Sequence, residues 1–358
     1  HESLTWKYIL NQLISGQDLG SRHVDWAMDE IMTGSTPEPI LASFLTSLHM
    51  KGETSEELGA LARGMLAKAE TIDLDVHAVD IVGTGGDQQN TVNISTMAAL
   101  VIAGTGATVV KHGNRASTSK SGSADVLEAL GIQLDMPIKS VAACARQVGI
   151  TFLFAMTFHP SMRFVGPTRK MLGIPTAFNY LGPMTNPARV SSSAIGVANP
   201  QMVEKMAWVF ANRGDHALIF RGDDGLDELT IATTSQIWEA SGGTLQKYVF
   251  NPEGYGIERS SLDNLRGGDA EYNASVFRAV LAGEGESAKD SLHAIRNAVL
   301  INAAAGLIAY RKNDGRSFEE RYTEALADAR QSIDTGAAAQ VLNAWVEFSH
   351  LVVETPSP

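Results

Sequence analysis

The chain has 358 residues, 44% of them hydrophobic and 19% charged, a balance that marks a folded globular protein and, at this length, predicts two structural lobes. Its net charge of -12 opposes nucleic acid and anionic membrane surfaces, so an anionic substrate requires a local cationic pocket. With one cysteine, Cys144, no internal disulfide forms. No basic segment leads into an apolar stretch with a small-residue cleavage site, and the longest near-apolar run, Ala298 to Tyr310, is shorter than the roughly 20 residues that cross a bilayer. The expectation is a cytoplasmic protein with neither membrane span nor nucleic-acid partner.

The first seventy residues read as helices only. Trp6, Ile9, Leu10 and Leu13 follow helical spacing, as do Ile40, Leu41, Phe44, Leu45 and Leu48. Gly16, Gly34 and Gly52 are placed to stop helices, Pro37 to start one and Ser55 to cap the fourth. From Ala78 short strand-like runs alternate with helical ones: Val79 to Val82, Thr108 to Lys111, Ile150 to Phe154 and Ala217 to Phe220. Such alternation predicts parallel βαβ units, with ligand sites in the loops at the carboxyl ends of the strands. Residues Arg163 to Asn186 read as helical and then irregular, and the chain closes with helices near Asn273 to Ala282, Ala288 to Arg311, Phe318 to Ile333 and Ala338 to Val352. The fold class is α/β: a small N-terminal all-helical domain (1–75) and a larger domain (76–162 and 188–358) with a mostly parallel central sheet flanked by helices.

The strand Val79 to Val82 runs into Gly83-Thr-Gly-Gly-Asp87, and Asn93-Ile-Ser-Thr96 stands just ahead of an apolar helical run. Glycines let a backbone approach a ligand closely, and a helix N-terminus offers free N–H groups and the positive end of its dipole to an anion. Alone, this loop also suits a tight turn with an ordinary Asn or Ser cap. Its glycine spacing fails the dinucleotide fingerprint, because Gln88 occupies the sixth position, and it lacks the lysine of a Walker loop. After the next strand, Lys111-His-Gly-Asn-Arg115 and Ser117-Thr-Ser-Lys-Ser-Gly-Ser123 supply cations and hydroxyls. Such a loop is either merely solvated or suited to a ligand with several phosphoryl oxygens. Ahead of Asp227 and Glu228, Ala217 to Phe220 leads to Gly222-Asp-Asp-Gly. Carboxylates at a strand end suit Mg²⁺, which takes hard oxygen ligands and bridges to substrate phosphates. An acidic turn is the alternative.

The motifs GTGGD, NIST, KHGNR, SGSADVLEALG, HPSM, GPTRKMLGIPT, LGPMTNP and DGLDE, with Gly267-Gly-Asp-Ala270 and Asn302-Ala-Ala-Ala305, together resemble the anthranilate phosphoribosyltransferase family of the class II phosphoribosyltransferase and nucleoside phosphorylase fold. The resemblance runs from about Leu10 to the C-terminal helices and is densest over residues 80 to 190. It implies transfer of the phosphoribosyl group of 5-phosphoribosyl-1-pyrophosphate (PRPP) to anthranilate in tryptophan biosynthesis, and a homodimer formed through the helical domain. The return of 163–187 to the helical domain follows only from this resemblance. Carried onto this sequence, PRPP is held by Gly83, Gly86, Asp87, Thr91, Asn93, Ile94, Ser95 and Thr96, then by Lys111, His112, Gly113, Asn114, Arg115, Ala116, Ser117, Thr118, Ser119 and Ser123. Ser95, Asp227 and Glu228 bind Mg²⁺, as two ions, and Lys111 adds electrostatic help. Anthranilate contacts Gly83, His112, Asn114, His159, Arg169 and Pro183. Arg169 suits that part on its own account, because a guanidinium is the natural clamp for a carboxylate. The rivals are a pyrimidine nucleoside phosphorylase, in which KHGNR is out of place, and a non-catalytic nucleic-acid-binding relative, which the acidic charge opposes.

Overall fold

The structure is a computed structural model that describes residues 3–116, 120–286 and 291–354. The chain runs through α1 (Trp6–Ile14), α2 (Ser21–Met32), α3 (Glu38–Lys51), α4 (Ser55–Ala67), β1 (Val79–Gly83), α5 (Ile94–Gly104), β2 (Val109–Gly113), α6 (Ser123–Ala129), α7 (Ile138–Val148) and β3 (Ile150–Phe154). It continues through α8 (Ala155–Phe158), α9 (Gly166–Leu172), β4 (Ser192–Gly196), α10 (Val203–Arg213), β5 (His216–Gly222), β6 (Ser235–Ser241) and β7 (Thr244–Phe250). The last helices are α11 (Ala270–Leu281), α12 (Ser291–Tyr310), α13 (Phe318–Asp334) and α14 (Ala337–Glu354). Two compact units result, one from the chain up to Thr71 with Ala155–Arg189, the other from Ile72–Phe154 with the chain from Val190 on.

In the helical unit Ile9, Leu13, Val24, Met28, Phe44, Leu45, Leu48, Leu58 and Leu61 are buried, each contributing about 1.5–3 kcal/mol by leaving water. Pro37 leads into α3 and Gly52 ends it in a conformation with φ of 91°. The cap of α4 is Thr54, one residue before the expected Ser55. Thr54 Oγ1 accepts from Glu57 N at 3.0 Å while Glu57 Oε1 accepts from Thr54 N at 2.8 Å, so the glutamate three residues on selects the threonine. Residues 155–162, expected with the sheet, cluster with the helices. Glu70 N donates to Phe158 O at 2.8 Å, and His159 Nε2 hydrogen-bonds Thr185 O at 2.9 Å, which ties this stretch to both flanking parts of the helical unit.

The other unit is built on one seven-stranded sheet in the order β3-β2-β1-β4-β5-β6-β7. Strands β1 to β5 run parallel, and β6 and β7 add an antiparallel hairpin. The hairpin turns on Gly242 and Gly243, with φ of 60° and 80°, the positive values that a two-residue turn between twisted strands demands. Helix α12 packs on β1, β4, β5 and α5. By length and composition this 20-residue helix could cross a membrane, yet most of it is buried in the core. It extends N-terminally past the apolar run seen in the sequence through His293, Arg296 and Asn297. Chain order outward from β1 goes to β2 and β3 on one side and to β4 and β5 on the other, so the sheet reverses between β1 and β4. Open α/β sheets bind ligands at such a reversal, outside the carboxyl ends of the strands.

Candidate active site

Strands β1 and β4 end in register on a pair of glycines, Gly83 beside Gly196. A Cβ on Gly83 would run into Asp227 Oδ2, and one on Gly196 into the carbonyl oxygen of Asp227. Only two bare backbones let the Asp227-Glu228 peptide lie across the strand ends. The acidic turn before it is self-contained: Asp224 accepts from Leu226 N at 3.1 Å and Thr230 Oγ1 at 2.6 Å, and Asp223 accepts from Gln236 Nε2 at 3.2 Å and from Thr234 Oγ1. Asp223 and Asp224 are thus turn formers, which leaves Asp227 and Glu228 as the carboxylates available to a ligand.

Both carboxyls are buried, and burial pushes both well above the usual carboxylate range. The Asp87 carboxyl raises Asp227 further, and Asp227 in turn raises Glu228. Lys111, on β2, is the cation that opposes this for Glu228. The residue is 1% exposed, and its ammonium donates to Ile81 O and to Ser95 Oγ, the latter at 3.1 Å. Burial lowers its pKa, against the pull of Asp80, Glu228 and Asp227. Lys111 therefore forms the floor of the site, reaching any ligand through Ser95. Among the described residues no three acidic, His or Cys side chains form a complete metal cage. Two carboxylates with phosphate oxygens and water are the usual partners of Mg²⁺, and the unrelieved repulsion among these carboxyls suits a cation.

The first glycine loop wraps this seat. Gly85 N donates to Asp227 Oδ2 at 2.8 Å, and Asp227 N to Asp87 Oδ2 at 3.4 Å. Beyond Asp87, Gln88 and Asn90 hold φ of 60° and 49° without being glycine, a strain that surrounding contacts must sustain. Gly267 N to Asn90 O at 2.7 Å and Val92 N to Leu265 O at 2.8 Å provide them, with Thr91 bridging Arg266. At the start of α5 the Asn93 side chain does not cap the helix. Asn93 Nδ2 instead reaches Ser121 O at 3.1 Å, joining the two loops, while Asn93 Oδ1 and Thr96 Oγ1 are buried with no protein partner. Ile94 N donates to Val92 O at 2.7 Å, so these two side-chain groups and the remaining N–H groups of the first turn are what the start of α5 offers an anion.

The second loop leaves β2 at His112 and Gly113. Asn114 Oδ1 accepts from Arg115 N at 2.9 Å, and Asp125 Oδ2 accepts from Ala116 N at 3.0 Å and Gly122 N at 2.9 Å. Asp125 therefore fastens the two ends of the loop, directly before Ser123 opens α6. Ser117, Thr118 and Ser119 lie outside the described residues. Arg115, expected at the phosphates, is taken up by Glu128 at 2.6 Å and Asp125 at 3.5 Å and lies over the Phe154 ring. The spacing of KHGNR carried no sign of these pairings, because both acids sit on the next helix.

In the helical unit Arg169 lies on α9, partly desolvated, with its pKa lowered by burial. Its Nη2 meets Asn179 Oδ1 at 3.5 Å, and among the described residues no carboxylate forms an ion pair with it. His159 is buried, its pKa lowered by desolvation, and its Nε2 hydrogen-bonds Thr185 O at 2.9 Å. Pro183 is buried in a short turn, Gly182–Met184. His112 is buried in β2, its N–H donating to Asp80 Oδ1 at 3.3 Å.

Residues 7–69 match the helical bundle domain, and residues 75–339 the a/b domain, of the glycosyl transferase family. The chain is 53% identical to the anthranilate phosphoribosyltransferase of Arthrobacter sp. (strain FB24) over 345 residues, 96% of each. The chain belongs to the anthranilate phosphoribosyltransferase family. The relative from Rhodococcus opacus (strain B4) is 51% identical across 96% of this chain and 93% of its own length. In three dimensions the family enzyme from Thermus thermophilus superposes with a TM-score of 0.87 at 36% identity, covering 96% of this chain and 99% of that one. The Saccharomyces cerevisiae enzyme in complex with PRPP and Mg superposes with a TM-score of 0.86 at 28% identity, covering 96% and 98%. Family membership accounts for the motifs of both loops. Gly196, Asp125 and Asn302, which shape the site, were not picked out from the sequence as site residues. Gly196 sits in the weak strand Ser-Ser-Ala-Ile-Gly, and only three-dimensional proximity gives the other two their parts.

Proposed function

We propose that the site at β1 and β4 binds PRPP with Mg²⁺, and that the enzyme transfers its phosphoribosyl group to the amino group of anthranilate, giving N-(5-phosphoribosyl)anthranilate and pyrophosphate. The observation that carries this reading is the meeting, at one strand reversal, of an uncapped helix N-terminus with two buried carboxylates lacking sufficient counter-charge. Asp227, Glu228 and Ser95 would hold Mg²⁺, as two ions; when bound, the metal neutralises charge that develops on departing pyrophosphate. The N–H groups of Gly86 and of the first turn of α5 beyond Ile94, with Asn93 and Thr96, would orient the phosphoryl oxygens, and Lys111 would fix Ser95 and add positive potential from below.

An arylamine is neutral and nucleophilic near pH 7, so this chain supplies position more than a base. Effective molarity contributes about 7–11 kcal/mol in favourable cases. Arg169 is proposed as the clamp for the anthranilate carboxylate, on the ground that its guanidinium is desolvated without an anionic partner, and Asn114 as a polar contact. His112, His159 and Pro183 are assigned the shaping of the acceptor's surroundings. We further propose a cytoplasmic homodimer formed through the helical unit, with the two units acting as separate domains.

The deciding assay is loss of anthranilate fluorescence on adding PRPP and Mg²⁺; no loss, with the protein folded, would remove the reading. Arg169→Ala is expected to raise the KM for anthranilate about 10- to 100-fold while that for PRPP stays near its original value. Equal changes in the two constants would take the clamp away from Arg169.

A further inference from the structure

Asn302 stands in the middle of α12 with none of its surface exposed. Its carboxamide accepts from Leu229 N at 2.9 Å and donates to Leu229 O at 3.1 Å and to Ala298 O at 2.8 Å. A carboxamide carries a donor and an acceptor side by side, so it pairs with both backbone groups of Leu229 as a neighbouring strand would. Leu229 directly follows Glu228. On the other side, the Asp227-Glu228 peptide rests on Gly83 and Gly196, and the Asp227 carboxylate accepts from Gly85 N at 2.8 Å. The two carboxylates are thus gripped from the strand ends and from α12. The small residues after Asn302 allow that grip: a Cβ on Gly306 would strike Ile102 of α5. A polar side chain inside a buried helix is costly unless fully bonded, and what Asn302 provides in return is a fixed place for one peptide.

We propose that Asn302 is a positioning residue for the cation seat formed by Asp227 and Glu228, acting through the backbone of Leu229. The proposal rests on the reading of those carboxylates as cation ligands. Side chains that orient metal ligands without touching the metal typically change metal affinity by 10- to 100-fold when removed.

The test titrates Mn²⁺ into the full-length enzyme with PRPP present, following free Mn²⁺ by electron paramagnetic resonance, alongside steady-state kinetics and melting. Asn302→Ala should weaken Mn²⁺ binding about 10-fold or more and raise the KM for PRPP, with the KM for anthranilate unchanged. Asn302→Ser, a milder change that remains decisive if the alanine variant does not fold, should show the same split at smaller size. Tyr322→Phe is the control. It removes a buried hydrogen bond of 2.7 Å to Ile301 O on the same helix, and should lower Tm without altering Mn²⁺ affinity. If the foldable Asn302 variants bind Mn²⁺ like the unaltered enzyme and only melt earlier, as Tyr322→Phe does, Asn302 is structural and the proposal is overturned. If the unaltered enzyme binds no Mn²⁺ and turns over without a divalent cation, the reading of Asp227 and Glu228 falls, and the proposal with it.

Discussion

Two buried glutamates of the sheet unit, Glu228 and Glu239, sit in opposite electrostatic settings. Burial acts upward on both. At Glu239, on β6, it is overcome: Arg321 donates to the two carboxylate oxygens at 2.7 and 2.8 Å, His216 Nε2 lies 2.7 Å away, and the pKa falls to about 2. At Glu228 the neighbours are Asp227 and Asp87, Lys111 does not offset them, and the pKa goes well up. One carboxylate is completed by protein partners, and the other is left with less counter-charge than its burial calls for. A buried charge set left incomplete lowers stability, and such local costs are characteristic of binding sites.

The strongest way to break this contrast is Asp227→Asn with Glu228→Gln. Turnover with Mg²⁺ should fall about 10³-fold or more, about 4 kcal/mol of transition-state stabilisation, while Tm holds or rises because buried like charges are gone. Near-normal turnover would refute the metal role. Next comes Gly196→Ala, whose methyl displaces the Asp227 carbonyl. The expected loss is about 10²-fold in kcat/KM for PRPP with an unchanged circular dichroism spectrum, and a value close to the original would show that the carboxylates need no seat on the strand ends. Glu239→Gln should do the reverse, keeping turnover and costing about 3 kcal/mol of stability. Because the folded pKa of about 2 lies below the ordinary 4.5, this stability is present above pH 4.5 and is lost as pH falls toward 2. Urea midpoints of the two proteins should accordingly differ fully at neutral pH and converge across that interval. A gap that ignores pH would mean that Glu239 acts by shape alone.

The sequence made the incomplete charge set easier to see than the completed one. Asp227 and Glu228 stand next to each other after a strand, and the glycine loop and α5 start are contiguous, so local chemistry sufficed to suspect them. Glu239, Arg321 and His216 lie on different elements with no local pattern linking them. The parallel strands were legible where Val and Ile run together, as in Val79 to Val82. Strand β4 was not, because its serines and alanine carry little strand signal, and β6 and β7 hide their alternation behind exposed Gln246, Lys247 and Val249. The pairing of Arg115 with Asp125 and Glu128 was not legible either, because both acids belong to the following helix.

The glycine pair at the strand reversal also sets a timetable. Residues 79–123, with both glycine loops, leave the ribosome early, but Gly83 gains its partner only when β4 has been made, and the acidic peptide is secured only once Asn302 of α12 follows. Pairings so distant in sequence close late and at an entropic cost. A chain released short of α12 therefore carries both glycine loops while the Asp227-Glu228 peptide is still without its hold from Asn302.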